Sequence, residues 1–190
     1  MFNKKIILGT SSPRRIELIQ NLGFDCEVRK KEVAENYPET LPSKEVAEFL
    51  SRLKAEPLKT EIKPGEILLT SDTVVLLNNE ILGKPTNASE AEVMLRRLSD
   101  NFHEVITGVF MFSTDTEISF SVSTKVFFKK LTPEEIRYYI DTYKPFDKAG
   151  AYGIQEWIGQ IAVQRIEGCF YNVMGLPVNK VWEVLHQEFQ

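Results

Sequence analysis

Two adjacent arginines, Arg14 and Arg15, follow Ser12-Pro13 in a stretch that reads as the first turn of a helix. Positive side chains there oppose the helix dipole, at about 0.3–1 kcal/mol each. A bound phosphate would offset this, because a helix N-terminus offers free N–H donors and arginine adds a bidentate fork. On residue type alone, two solvated surface arginines are the plain alternative. Lys54 borders an apolar helical stripe, placed either to reach into a cleft or to lay its stem on apolar surface with the amine in water. Lys84 stands between Gly83 and Pro85, and the proline biases it to an extended backbone; by itself it is a turn lysine.

Asp72 says more. Ser71-Asp72-Thr73 lies between the apolar runs Ile67 to Leu69 and Val74 to Leu77. An unpaired buried carboxylate costs several kcal/mol, so an aspartate there is paired, functional, or a structural residue at a strand end. His103 and His186, the two histidines, stand in no recognisable motif, so acid–base or metal chemistry falls to carboxylates. The chain carries no Walker-type loop, paired CxxC, G-x-S-x-G elbow or H-E-x-x-H.

The elements that must hold these residues alternate between strand and helix. Ile6-Ile7-Leu8, ending in Gly9, reads as a buried strand. Ser12 as N-cap, Pro13 at the first helical position, the stripe Ile16, Ile19, Leu22 and the stop at Gly23 define a helix. Phe24 to Val28 reads as a second strand and residues 29 to 42 as a loop. Ser43 is expected to cap a helix with Val46, Phe49, Leu50 and Leu53 on its buried face. Asn78-Asn79 predicts a hairpin turn. Asn87 with Glu90 caps a helix carrying Ala91, Met94, Leu95 and Leu98.

Strict alternation from Ile118 to Phe128 predicts one long half-buried strand. Thr132-Pro133-Glu134-Glu135 combines N-cap, proline and capping-box glutamate ahead of the stripe Ile136, Tyr139, Ile140, Tyr143. A small-residue loop runs to Gly153, Ile161 to Ile166 reads as a strand, and a last helix near Pro177 turns Val178, Val181, Trp182 and Leu185 inward. No repeat, low-complexity stretch or free linker breaks the chain. The expectation is one mixed α/β domain over residues 1–190, any second lobe being woven into the first.

Net charge is −4, so there is no global attraction to nucleic acid or to an anionic membrane, and any phosphate site must be local. Cys26 and Cys169 are too few for a disulfide framework and are not spaced as a zinc site, which points to reducing cytosol. The start Met1-Phe2-Asn3-Lys4-Lys5 leads into only three apolar residues, too few for a signal peptide, and no stretch approaches a membrane span. A soluble cytoplasmic protein is expected.

Taken together, Ser12-Pro13-Arg14-Arg15, Lys54-Ala55, Ser71-Asp72-Thr73-Val74-Val75, Gly83-Lys84-Pro85, Thr107-Gly108-Val109 and Asp147-Lys148-Ala149-Gly150-Ala151-Tyr152-Gly153-Ile154-Gln155 follow in an order that resembles the Maf family of nucleotide pyrophosphatases. The resemblance runs from Leu8 to Gly175-Leu176-Pro177, and the Asp147 to Gln155 segment is similar to the branch acting on dTTP and UTP. It implies a mixed α/β fold with a twisted sheet, flanking helices and two lobes around a central cleft. It also implies a divalent metal, Mg²⁺ or Mn²⁺, and hydrolysis between the α- and β-phosphates of a nucleoside triphosphate.

By residue-wise carry-over the resemblance makes Asp72 the proton acceptor. It gives Arg14, Thr73 and Gln155 the choice of substrate, and Ser12, Arg15, Lys54 and Lys84 the phosphates. Glu35, with Asp72, would help hold the metal, so whether Asp72 serves as base or as metal ligand stays open. Homodimerisation is compatible with the resemblance. Three departures stand out: Gly9-Thr10 where Ala-Ser is usual, Glu156 where glycine follows the glutamine, and Cys169 where serine precedes Phe170. A glutamine amide, donor and acceptor at once, suits the O4 acceptor and N3–H donor of uracil or thymine, but it needs a fixed neighbour, since it can flip to follow cytosine. The rival readings are a nucleotide-binding regulator of cell division with little turnover and a nucleic-acid-binding module. The intact Asp72 and cation set weigh against the first, and the acidic charge against the second.

Overall fold

The apolar run Ile6-Ile7-Leu8 is fully buried, as a strand covered on both faces must be. In the computed structural model, which describes residues 4–189, it lies in β1 (Lys5–Leu8). Met1-Phe2-Asn3, the segment read above for a targeting signal, lies outside the described residues, as does Gln190. The chain continues through α1 (Pro13–Asn21), β2 (Cys26–Val28), α2 (Val46–Lys59), β3 (Glu66–Leu77), β4 (Glu80–Leu82), α3 (Ala88–Leu98), β5 (Phe102–Phe112) and β6 (Glu117–Phe128). It ends with α4 (Pro133–Tyr143), a short 3₁₀ turn (Ala149–Ala151), α5 (Trp157–Ala162), β7 (Val163–Glu167), α6 (Phe170–Met174) and α7 (Val178–Glu188).

The strands form a seven-stranded sheet in the order β2-β1-β3-β5-β6-β7, with β4 paired to β3 off that path. β1 pairs in parallel with β2 and β3, whereas β3–β4 and β6–β7 are antiparallel, so the sheet is mixed. The fold class is therefore the mixed α/β sheet with helices expected from the sequence.

The chain divides into two compact units. The first comprises residues 1–72, 107–122 and 175–190. Its core joins Ile7 of β1 and Leu68 of β3 to Ala55 and Leu58 of α2 and Phe110 of β5. The second comprises residues 73–106 and 123–174. There Leu95 and Leu98 of α3, Ile136, Tyr139 and Ile140 of α4, and Val126 and Phe128 of β6 share one apolar cluster.

Local signals acted where local chemistry decides. Asn78 and Asn79 both take left-handed conformations, with φ of 53° and 66°, and turn β3 into β4 with Leu77 opposite Glu80. Asn87 accepts from the Glu90 N–H, and Thr132 with Glu135 completes a reciprocal capping box.

Four expectations are corrected. Ser43 does not cap α2: a turn closed by the Glu45 N–H on the Pro42 carbonyl precedes the helix, and Glu45 takes the N-cap position. The segment from Ile161 is not strand throughout, because α5 extends to Ala162 and β7 begins at Val163. The second strand starts at Cys26, not Phe24. Trp182 is 44% exposed, stacks on His186 and lies tilted against Phe24, so it faces outward from α7.

Candidate active site

In the first unit, the N-terminus of α1 carries no side-chain cap. Ser12 holds the N-cap position, yet its side chain makes no capping bond. Its N–H instead donates to Thr10 Oγ1 at 3.1 Å. No acidic residue lies in the first turn, where Arg14 and Arg15 sit. Gly9 lies close against β3 before this turn: a Cβ there would lie 2.4 Å from Thr70 Cγ2, so an alanine would need that side chain to move. Arg15 is tied down by backbone: its Nε donates to the Gly175 carbonyl and its Nη1 to the Ser71 carbonyl, both at 2.8 Å. Burial pulls the affinity of its guanidinium for the proton below the ordinary value, and the nearby Asp72 carboxylate opposes that shift.

β3 runs without interruption through Asp72, so the carboxylate is an in-strand residue and not a strand end. It is paired. Lys54 of α2 donates to Asp72 Oδ1 in a short charged contact, and the same ammonium lies 3.2 Å from Glu35 Oε1. The Asp72 and Lys54 side chains are only 13% and 18% exposed, against 51% for Glu35. Lys54 thus turns inward to the carboxylates instead of lying along the surface. Ser71 beside it keeps a buried hydroxyl without a hydrogen-bond partner.

Among the described residues, no three His, Cys, Asp or Glu side chains gather as a metal cage. Glu35 and Asp72 nevertheless converge on one cationic group. Two carboxylates are the protein share of a Mg²⁺ site whose remaining ligands are substrate phosphates and water. The donor set fits an ion of that kind and does not fit a closed structural site.

In the second unit, three distant segments meet. Gly150, at φ +67°, donates its N–H to the Gly83 carbonyl at 3.0 Å, which ties the loop after α4 to the residue before Lys84. A Cβ on Gly150 would lie 3.1 Å from Val75 Cγ1, two residues beyond Thr73. Thr73, Lys84 and Gln155 therefore sit on segments packed on one another.

Residues that sequence reasoning passed over hold the end of that loop. Lys148, 8% exposed, pairs with Asp147 at 2.6 Å and Glu156 at 3.1 Å. The Tyr139 hydroxyl donates to Glu156 Oε2 in a short bond and accepts the Gly153 N–H at 3.1 Å. Burial, with the Glu156 carboxylate, pushes the Tyr139 phenol well above its usual range and keeps it a donor. The available signal was a tyrosine in a helix's apolar stripe, because a buried phenol needs a polar partner. His103 is buried too, sharing a 2.7 Å hydrogen bond with the Tyr152 hydroxyl.

Comparison with known proteins bears on this arrangement. Residues 5–188 match the family described as Maf-like protein. The chain is 50% identical to the dTTP/UTP pyrophosphatase of Parabacteroides distasonis over 182 residues, covering 95% of this chain and 94% of that one. It is 51% identical to the protein of the same name from Flavobacterium psychrophilum, covering 95% and 92%. Among solved structures, the Staphylococcus aureus Ham1 protein shares the fold with a TM-score of 0.56 at 16% identity, covering 97% of this chain and all of that one.

Proposed function

The chain belongs to the Maf family, and from that premise we propose that it hydrolyses dTTP and UTP to the nucleoside monophosphate and pyrophosphate. The observation that carries the reading is near-half identity, across almost the full length of both chains, to proteins named dTTP/UTP pyrophosphatase. Both units serve this one activity, as a single working domain over residues 1–190.

The chemistry begins with repulsion: a triphosphate turns away an attacking water until its charge is offset. Ser12, Arg15, Lys54 and Lys84 are assigned to the phosphates, the first through a side chain not committed to capping. Glu35 and Asp72 would hold a divalent ion, Mg²⁺ or Mn²⁺, which when bound supplies charge neutralisation and acidifies a water. Asp72, carried on a rigid strand and aimed by Lys54, is assigned to accept the water's proton as the α-phosphorus is attacked. Lys54 keeps that carboxylate oriented between turnovers and presents a cation to the phosphate that arrives.

Arg14, Thr73 and Gln155 are assigned to the base and its sugar, with the Gln155 amide reading O4 and N3–H. A cytosolic location completes the reading. Neither Cys26 nor Cys169 is in a disulfide, which suits a reducing compartment, and among the described residues no helix is long and apolar enough to cross a membrane. The test is kcat/KM across the eight common triphosphates with Mg²⁺. dTTP and UTP should lead, and a preference for purines, or absence of turnover on all eight, would count for the rival readings.

A further inference from the structure

A histidine buried among apolar side chains needs a reason, since phenylalanine fills the same space without a polar atom to satisfy. His103 of β5 is 1% exposed, and its ring packs edge-on against Phe128 at 5.1 Å and Tyr152 at 5.3 Å. Packing of that kind asks only for an aromatic ring. What the imidazole adds is Nε2, 2.7 Å from the Tyr152 hydroxyl. Its Nδ1 finds no hydrogen-bond partner among the described residues, so the polar character of His103 is directed at Tyr152.

Tyr152 closes a strained turn. Gly150 and Ala151 before it both take left-handed conformations, with φ of 67° and 59°, which alanine rarely does. Such a turn persists only where its surroundings hold it. On one side the Ala151 N–H donates to the Lys148 carbonyl at 3.1 Å. On the other the hold is the Tyr152 side chain, 6% exposed and enclosed by His103 and Phe128. The turn in its place fixes a further segment, because the Gly150 N–H bonds the Gly83 carbonyl at 3.0 Å. Gly83 is exposed, and a Cβ built on it would meet nothing within 4 Å, so no steric wall confines the backbone there. On that side of Lys84, the bond from Gly150 is the tie that sets the chain.

We propose that His103 is a positioning residue for the triphosphate: by anchoring Tyr152 it holds the Gly150–Ala151 turn, and through the bond from Gly150 to Gly83 it places Lys84. The inference rests on the phosphate role assigned to Lys84 above. His103, Tyr152, Gly150, Gly83 and Lys84 all belong to the second unit. Nothing in it asks His103 to touch the substrate.

The experiment measures kcat and KM for dTTP, together with Tm, in wild type, Tyr152→Phe, His103→Phe, His103→Gln, Lys84→Ala and the Tyr152→Phe/Lys84→Ala double variant. Tyr152→Phe keeps the ring and removes the hydroxyl, and should raise KM about fivefold, the scale of one neutral hydrogen bond, with little change in kcat. His103→Phe should do the same, whereas His103→Gln, whose amide can stand in for Nε2, should stay nearer wild type. Lys84→Ala should raise KM about tenfold or more, as a charged phosphate contact is lost. Adding Tyr152→Phe to it should raise KM no further, because the two act through one group. If Lys84→Ala raises KM but Tyr152→Phe lowers only Tm, or if the two effects on KM multiply, His103 and Tyr152 are merely structural and this inference alone is overturned. If Lys84→Ala leaves KM unchanged, or wild type does not turn over dTTP, the reading above fails and the inference falls with it.

Discussion

Arg15 shows how a side chain's partners alter what its type implies. From position alone, a second arginine in a helix's first turn is a burden on the dipole, and its removal should leave stability unchanged or slightly raised. Its 2.8 Å bonds to the Ser71 and Gly175 carbonyls join α1 to β3 and to the segment before α7, and reverse that expectation. Arg15→Ala should lose about 2–3 kcal/mol, since two buried acceptors are left unpaired; an unchanged denaturation midpoint would contradict the strap.

His103 makes a second prediction at this scale. Burial lowers its pKa from 6.5 to about 3, so the folded protein keeps it neutral. Above the unfolded value it costs nothing. As pH falls below about 6.5 the unfolded chain takes up a proton that the folded one refuses, and stability drops by up to about 1.4 kcal/mol per pH unit until the folded value is reached. Urea denaturation between pH 7 and 5 should show a steeper loss in wild type than in His103→Gln, and parallel curves would contradict it. Asp72 was legible in the sequence as a carboxylate inside apolar strand sequence, a combination that demands a partner. The Tyr139 bond to Glu156 was not, because Tyr139 lies 17 residues away and reads as one more apolar position in a helical stripe.

Among elements, β5 comes close to the start of α2. A Cβ on Gly108 would lie 2.3 Å from the Ala47 carbonyl carbon and the Glu48 nitrogen, and neither backbone can yield as a side chain would. Gly108→Ala should therefore cost about 3 kcal/mol or more, at the upper end of overpacking penalties. A Tm within a degree or two of wild type would show that the strand and helix shift freely. The same contact explains Thr107-Gly108-Val109, a motif that carries no obvious chemistry: it seats α2, and with it Lys54. Elements whose ends are set by local bonds were readable, as at Asn87, Thr132 and the Asn78-Asn79 turn. α5 was not, being six residues long and too short to display a period. Trp182 was misplaced for a related reason, since periodicity marks a face, and a large aromatic at its margin can stack on neighbours in the open.

For the whole molecule, the chain divides into two interleaved units, and three of their four borders left no mark in the sequence. The chain passes from one unit to the other inside β3, β5 and β6, where strand composition continues unbroken, and a fourth time between Met174 and Gly175, after α6. A boundary inside a strand leaves no proline, glycine or polar run to mark it. The assigned residues divide in the same way: Ser12, Arg14, Arg15, Glu35, Lys54 and Asp72 belong to the first unit, and Thr73, Lys84 and Gln155 to the second. The reading gives the first set the phosphates and the reacting water, apart from Arg14, and the second the base and one phosphate lysine. The most direct test of that reading is hydrolysis of dTTP with Mg²⁺ in heavy-oxygen water, with the products separated and the label located. The account predicts dTMP and pyrophosphate in equal amounts, with the label in dTMP, and loss of both products in a folded Asp72→Asn variant. Formation of dTDP with orthophosphate, or label carried by the pyrophosphate, would contradict attack at the α-phosphorus.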